Sequence, residues 1–316
     1  MKFVHLHAHS HYSLLDGLPK INELVLKAKS LGMNALALTD HGSLYGVVEF
    51  YKTAKKHGIK PIIGSEVYVA ARTMRDKQPG FDDKRFHLTL LAQNNAGYKN
   101  LIKLVTIANL EGFYYKPRVD KETLRRYSDG IIALSGCLSG EISKAIIGKD
   151  LARAEELVQE YKDIFGERFY IELAYHPKIQ FAEELNRTLL NYAEKYNLPI
   201  VATCDTHYLE KDDAKAHDIL MAVQTGAKLG EGDRISLSQD DFSFKSAEEM
   251  YETFPYPKEA LENTQKIADM CDVEIELGVT QLPYFEVPAG TTQQSHLRDL
   301  CFAKMPERYS EITDEI

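Results

Sequence analysis

The chain has 316 residues, 44% of them hydrophobic, which is enough for one large α/β domain with an appendage or for two domains. Its net charge of −9 argues against a surface that binds nucleic acid all over, since phosphate binding needs excess Lys and Arg; any such contact is local or shared with another domain. No apolar run has the length of a membrane span, and Met1 leads into a strand-like segment instead of a signal peptide, so a soluble, cytoplasmic protein with no membrane partner is expected. Cys137, Cys204, Cys271 and Cys301 are scattered with no CxxC pair, which suits reduced thiols better than a disulfide framework.

In chain order, the first strand-like segment, Phe3–His9, carries histidines at alternate positions: His5, His7, His9 and, just beyond, His11. Extended backbone turns alternate side chains to one face, so several imidazoles aim at one point. Neutral imidazole is the commonest nitrogen ligand of zinc, manganese and iron. Further strand-like runs, short, apolar and rich in β-branched or aromatic residues, follow at Ala35–Thr39, Pro61–Val69, Phe86–Leu91, Ile131–Leu134, Phe169–Leu173 and Ile200–Thr203.

Helical spacing separates these runs. Ile21, Leu24, Val25, Ala28 and Leu31 form one stripe, with Gly32 placed as a C-terminal cap. Leu101, Ile102, Val105 and Ala108 form a second, Leu151, Ala154, Leu157, Val158 and Tyr161 a third, and Leu185, Leu189, Tyr192 and Tyr196 a fourth. These stripes are read as plain core. After His207 the pattern changes to helices over 212–226, 247–254 and 258–271, a short strand over 242–244, a Pro/Gly-bearing connector over 277–292 and a helical tail from Ser295. Three parts are expected: a barrel over 1–210, a helical extension over 211–278, and over 279–316 a linker with the start of a further domain not contained in the chain.

Repeated βα units build either an open doubly wound sheet or a closed barrel. His7 and His9 close the first run, Thr39-Asp40-His41 the second, and Glu66 lies late in the third; His87 sits in the fourth, Cys137 just past the fifth, Asp205 and His207 just past the seventh. An open sheet would spread these residues along an edge, whereas a barrel gathers them at one mouth. A closed or nearly closed seven-stranded α/β barrel of TIM-like type follows.

With Asp16, the strand-end set comprises His7, His9, Asp16, His41, Glu66, His87, Cys137, Asp205 and His207. Five imidazoles, three carboxylates and a thiol exceed what one zinc-like ion takes, but they suffice for two or three ions with a carboxylate bridging. Multinuclear centres of this composition hydrolyse phosphate esters, generating hydroxide near neutral pH and neutralising the oxygens of an in-line displacement.

His-Leu-His-Ala-His-Ser, Thr-Asp-His-Gly, Gly-Ser-Glu, the His87 strand, Ser-Gly-Cys and Cys-Asp-Thr-His resemble the ordered motifs of the polymerase-and-histidinol-phosphatase (PHP) phosphoesterases. His-Tyr-Ser-Leu-Leu-Asp-Gly, Gly-Ile-Lys-Pro-Ile-Ile-Gly-Ser-Glu and Gly-Phe-Tyr-Tyr-Lys-Pro-Arg-Val-Asp further resemble the N-terminal region of bacterial replicative DNA polymerase III alpha subunits. The resemblance implies a distorted (β/α)7 barrel and three divalent ions (zinc, manganese or iron, with magnesium at one site as an option). One ion would be held by His7, His9, Glu66 and Asp205, a second by Glu66, His87 and Cys137, and a third by Asp16, His41 and His207. Cys137, where many stand-alone members carry His, shifts the second site towards zinc or iron. Glu66, Asp205 and His9 are the residues expected to carry catalysis.

The implied activity is a metal-dependent 3′–5′ exonuclease acting on the 3′ end of DNA. The implied partners are the polymerase core of a parent chain and a proofreading exonuclease subunit. Two other readings remain at this point: a metal-stabilised scaffold, and a small-molecule phosphatase of the histidinol-phosphatase kind. The polymerase's catalytic carboxylates would lie in a palm domain beyond the present chain.

For substrate contact, Arg72, Arg75, Lys77, Lys84 and Arg85, against Asp76, Asp82 and Asp83, form a loop after the third strand that reads either as steering a phosphodiester or as a solvated loop of mixed charge. Lys116 and Arg118 sit among aromatics that either stack on bases or simply pack. Among the other histidines, His5 is expected beside the site as a hydrogen-bond partner, His11 exposed, His57 at a helix end, His176 near the mouth, and His217 and His296 on helix surfaces. Cys204 is expected to point into the core, and Cys271 and Cys301 have no visible partner.

Overall fold

The structure is a computed structural model that describes residues 1–228, 236–238, 240–280 and 282–313. The chain divides into two compact units, Met1–Ile275 and Glu276–Ile316. In the first, the elements run α1 (Ile21–Ser30), β1 (Ala35–Leu38), α2 (Val47–His57), β2 (Lys60–Ala70), β3 (Arg85–Ala92), α3 (Asn95–Leu110), β4 (Phe113–Tyr114), β5 (Lys116–Val119), α4 (Lys121–Arg126) and β6 (Ile131–Leu134). They continue with α5 (Glu141–Ile147), α6 (Leu151–Phe165), β7 (Phe169–Ala174), α7 (Ala182–Tyr196), β8 (Ile200–Thr203), α8 (Ala214–Thr225), α9 (Ala247–Thr253) and α10 (Glu259–Met270). The second unit holds α11 (Gln293–Arg308), which buries none of its residues.

The sheet order is β4-β5-β2-β3-β6-β7-β8, with β1 pairing alongside β2. The segment Phe3–His9 closes the round, because Ala37 of β1 donates to the His5 carbonyl on one side and His9 donates to the Thr206 carbonyl beyond β8 on the other. Seven staves thus form a distorted α/β barrel. One strand departs from the simple βα repeat: β3 runs antiparallel to both β2 and β6. A run of alternating side chains has the same period in either direction, so strand polarity is not written in the pattern. The reversal puts the start of β3, and with it His87, at the rim where β2 ends. The β4–β5 hairpin was not foreseen.

The first stave carries a bulge. Ala37 donates to the His5 carbonyl but Thr39 donates to that of Ala8, so three residues of this segment span two of β1. One extra residue switches the face that following side chains occupy. Val4 and Leu6 therefore join the apolar interior while His7 and His9 take over the inward positions above them. The Thr39 hydroxyl accepts the Ala8 N–H that the disturbed ladder leaves over, at 3.0 Å.

Inside the barrel, Val4, Leu6, Ala35, Ala37, Ile62, Leu91, Ile132, Leu134, Tyr170 and Val201 form one buried cluster with Ile267, Ala268 and Cys271 of α10. The outward faces of the same strands, such as Leu36, Ile63, Leu90 and Ile171, belong to a larger cluster shared with the surrounding helices. α10 closes the floor: Val4 donates to Thr264 Oγ1 at 3.0 Å, Asn263 to the Ile200 carbonyl at 2.7 Å, and Asp272 to the Gln93 carbonyl at 2.7 Å. Part of the expected extension is therefore built into the barrel. Among the described residues no helix is long and apolar enough to cross a membrane.

Candidate metal centre

The opposite end of the barrel is polar. The inward phase that places Ile62 in the interior brings Glu66 to the rim of β2, and the phase of Leu91 brings His87 to the start of β3. His41 and Asp205 lie just past β1 and β8, His7 and His9 come from the bulge, and Asp16, Cys137 and His207 come from loops. Asp205 has φ 49°, in the left-handed region that few residues except Gly, Asn and Asp visit, and such strain clusters at functional sites.

All nine predicted residues meet at this rim. His7 Nε2 lies 3.2 Å from both Glu66 Oε1 and Asp205 Oδ1, and His9 Nε2 lies 3.3 Å from Asp205 Oδ1 and 3.5 Å from Glu66 Oε2. His87 Nδ1 is 2.9 Å from Glu66 Oε1, and Cys137 Sγ is 3.6 Å from that oxygen and 4.0 Å from His87 Nδ1. His41 reaches Glu66 Oε2 through Nδ1 at 2.8 Å and Asp16 Oδ2 through Nε2 at 2.9 Å. His207 Nε2 stands 3.7 Å from Asp16 Oδ1. Glu66 is the hub of these contacts.

Four residues that sequence reasoning did not assign complete the arrangement. Glu172 of β7, buried, accepts from His7 Nδ1 at 2.7 Å, so the other ring nitrogen faces Glu66 and Asp205. Its own partners are Thr203 Oγ1 at 2.7 Å and the Gly136 N–H at 3.1 Å. Ser13 Oγ lies 2.9 Å from His9 Nδ1 and donates to Asp40 Oδ1 at 2.7 Å, which leaves it to accept from His9. Gly17 presses on the Ser10 carbonyl so closely that a Cβ would collide with it, and this folds the loop back to aim Asp16 at His41. His217, expected on a helix surface, is instead buried with Nε2 3.8 Å from Asp16 Oδ1. A lone carboxylate in Phe-Tyr-Ile-Glu-Leu, at an inward position, was the available signal for Glu172.

Charge balance follows from crowding. Burial raises the Glu66 carboxyl, but His87, His7 and His41 more than offset it and hold it well below the usual range. Asp205 is likewise lowered against burial by His7 and His207, and Asp16 against burial by His207, His217 and His41. Burial lowers His7, yet Asp205, Glu66 and Glu172 raise it overall; His41 is raised against burial by Tyr68 and Glu66. His9 goes the other way, pushed down to about 3 by burial and by the neighbouring His41 and His207. Burial and the Asp205 and Glu66 carboxylates push the Cys137 thiol up.

Even so, His7 Nε2, His9 Nε2, His41 Nδ1, Asp16 Oδ1, Glu66 Oε2 and Asp205 Oδ1 are buried in close contact with one another but in no well-aligned hydrogen bond. Buried polar atoms are nearly always satisfied, so a cluster of unsatisfied nitrogens and oxygens aimed at one another fits cations between them. Three triads have ligand atoms within 4.8 Å of one another: His7, His9 and Glu66; His9, His41 and His207; and His41, Glu66 and His87.

The expected substrate contacts fare unevenly. Arg118 is fully buried and donates to the carbonyls of Gly112, Asp82, Met74 and Asp76, so it clamps the 74–82 loop instead of facing a substrate. Arg72 is held by Asp82 at 2.9 and 2.6 Å and Arg75 by Glu111 at 2.7 Å. Lys116 lies over the Tyr68 ring, 5.9 Å from its centroid, and Lys84 and Arg85 line a cleft that His87 also lines. His5, on the far side of the bulge, bonds the Lys245 carbonyl at 2.9 Å and Thr206 Oγ1 at 3.2 Å, touching none of the nine. His11 is half-buried, His57 ends α2, and His296 is half-exposed on α11. His176 is buried 3.8 Å from Asp240, Cys204 and Cys271 are buried, and Cys301 is exposed.

Residues 5–176 match the family model described as PHP domain. The chain belongs to the PHP domain family. Along its whole length this PHP domain is similar to DNA polymerase III alpha subunits: it is 44% identical to that of Thermus aquaticus, covering 98% of this chain and 26% of the relative. It is 42% identical to that of Borreliella burgdorferi, covering 100% and 28%. The PHP domain chain thus spans about a quarter of the length of the curated relatives it matches. Among solved structures, an amidohydrolase from Chromobacterium violaceum aligns at TM-score 0.45 and 16% identity over 65% of this chain and 87% of that one. A two-domain protein from Bacteroides vulgatus, titled as containing a predicted PHP-like metal-dependent phosphoesterase, aligns at TM-score 0.42 and 18% identity over 83% and 63%.

Proposed function

We propose that this PHP domain is a metal-dependent phosphoesterase of a cytoplasmic replicative DNA polymerase, removing nucleotides from DNA 3′ ends. The observation that supports it is the set of six unsatisfied buried ligand atoms converging around Glu66. His7, His9, Glu66 and Asp205 would hold one ion, Glu66, His87 and Cys137 a second, and Asp16, His41 and His207 a third. Zinc, manganese or iron suit this donor set, with magnesium an option at one site. Bound there, the cations supply Lewis acidity towards water and towards phosphoryl oxygens.

The chain's own residues orient and shield. Glu172 fixes the tautomer of His7 and Ser13 that of His9, so both present Nε2 inwards. Tyr68, buried beside His41 and His87, keeps water from that side of the rim. Glu66, Asp205 and His9 are the residues on which activity depends. Digestion of end-labelled DNA with Mn²⁺ or Zn²⁺ tests this: wild type shortens the 3′ end, and Asp205→Ala or His9→Ala does not. Equal activity in wild type and variants refutes it.

A second reading, favoured by the near-complete burial of His7, His9 and Glu66, makes the ions a clasp that holds the first stave to the loop after β8. The domain would then serve as a scaffold for the polymerase core and a proofreading subunit. Chelation that lowers the melting temperature of a protein without hydrolysis selects this reading.

A further inference from the structure

A cleft of about 740 Å³ opens beside His87, between the loop ahead of β3 and helices α5 and α6. At 20% exposure the His87 side chain is more open than the others in the ion pairs of the rim, so the centre is approached from here. Lys84 of the loop, Arg85 at the start of β3, Lys144 of α5 and Arg153 of α6 line the cleft. Neither Lys84 nor Lys144 has an ion-pair partner among the described residues.

Three acids share the lining, Asp83, Glu141 and Asp150, and the last two are committed. Glu141 is paired with Lys121 at 3.0 Å and accepts from Tyr161 at 2.8 Å, and Asp150 caps α6 through the Arg153 N–H at 3.1 Å. On a chain of net charge −9, a cleft with unpaired lysines on two separate elements stands apart. Arg153 is taken by Glu156 at 3.0 Å, which leaves Lys84 on the loop and Lys144 on α5. Cations on two separate elements suit a ligand with more than one phosphate, and a single-stranded backbone offers a phosphate at every step.

We infer that this cleft holds the sugar–phosphate backbone of a single-stranded polynucleotide. Lys84 and Lys144 pair with its phosphates, and the terminal phosphodiester arrives at the rim past His87. This rests on the phosphoesterase reading and adds to it the path of the strand, from the α5–α6 side and not over the Lys116 hairpin.

Fluorescence anisotropy of a short labelled oligothymidylate with hydrolysis-resistant phosphorothioate links reads binding apart from catalysis. Lys84→Glu/Lys144→Glu is expected to weaken binding about tenfold or more and to flatten the log Kd against log salt slope by about 1.4, two phosphate contacts' worth. The milder Lys84→Ala/Lys144→Ala variant serves should the glutamates disturb folding, which the melting temperature reports. Lys29→Glu/Lys266→Glu makes the same charge change on exposed α1 and α10 positions and is expected to bind like wild type. Wild-type affinity and slope in the cleft variants, or an equal loss in the α1/α10 variant, overturns the inference. Because binding is read without turnover, a failed exonuclease assay and a failed cleft are distinguishable results.

Discussion

The two ends of the barrel are built from the same staves, yet they use their inward positions in opposite ways. At the floor, Val4, Ala35, Ile62 and Leu91 meet Ile267 and Cys271 of α10 in an apolar plug. A few residues further along, the same inward phases carry Glu66 and His87, joined by His7 and His9 after the bulge, and Glu66 Oε2, His7 Nε2 and His9 Nε2 make no well-aligned hydrogen bond. Unsatisfied buried polar groups weaken a fold, and apolar burial strengthens it. The comparison teaches that the floor supplies the stability that lets the rim hold crowded, desolvated imidazoles and carboxylates in place.

Removing floor packing should therefore damage folding and spare the rim's chemistry. Ile267→Ala is expected to lower unfolding free energy by about 2–5 kcal/mol in denaturant titrations, with activity per folded molecule maintained. A loss of activity without a loss of stability would break the division between the two ends. At the rim the effect is smaller in stability and specific in function. Glu172→Gln keeps the shape but weakens the anchor on His7, and a fall of about 10–100-fold in metal affinity is expected, measured by competition with a chromophoric chelator. Unchanged affinity would mean that Glu172 is a structural acid only.

The seven staves were legible because each is a short β-branched or aromatic run, and ligand types at their ends pointed to one mouth. What escaped has a common cause: it depends on pairing between distant segments. The reversed β3 carries the same period as a parallel strand would. The bulge at His7 is a matter of register with β1, which no alternation of His5, His7 and His9 reveals; it is why His5 turns away to Lys245. Arg118, among aromatics, read as a base-stacking cation, whereas three carbonyls of a loop far back in sequence and that of nearby Gly112 surround its guanidinium. His217 sits on a helix whose inward face is set by Asp16, about 200 residues earlier.

The central claim is that the rim residues close around several cations. Elemental analysis of the purified chain, paired with anomalous-scattering maps at the zinc, iron and manganese edges, addresses it directly. Two or three transition-metal ions per chain, with density between Glu66, Asp205, His41 and His87, is the expected result. A folded chain that carries no such ion after growth in metal-replete medium, and takes none up on dialysis, would contradict it.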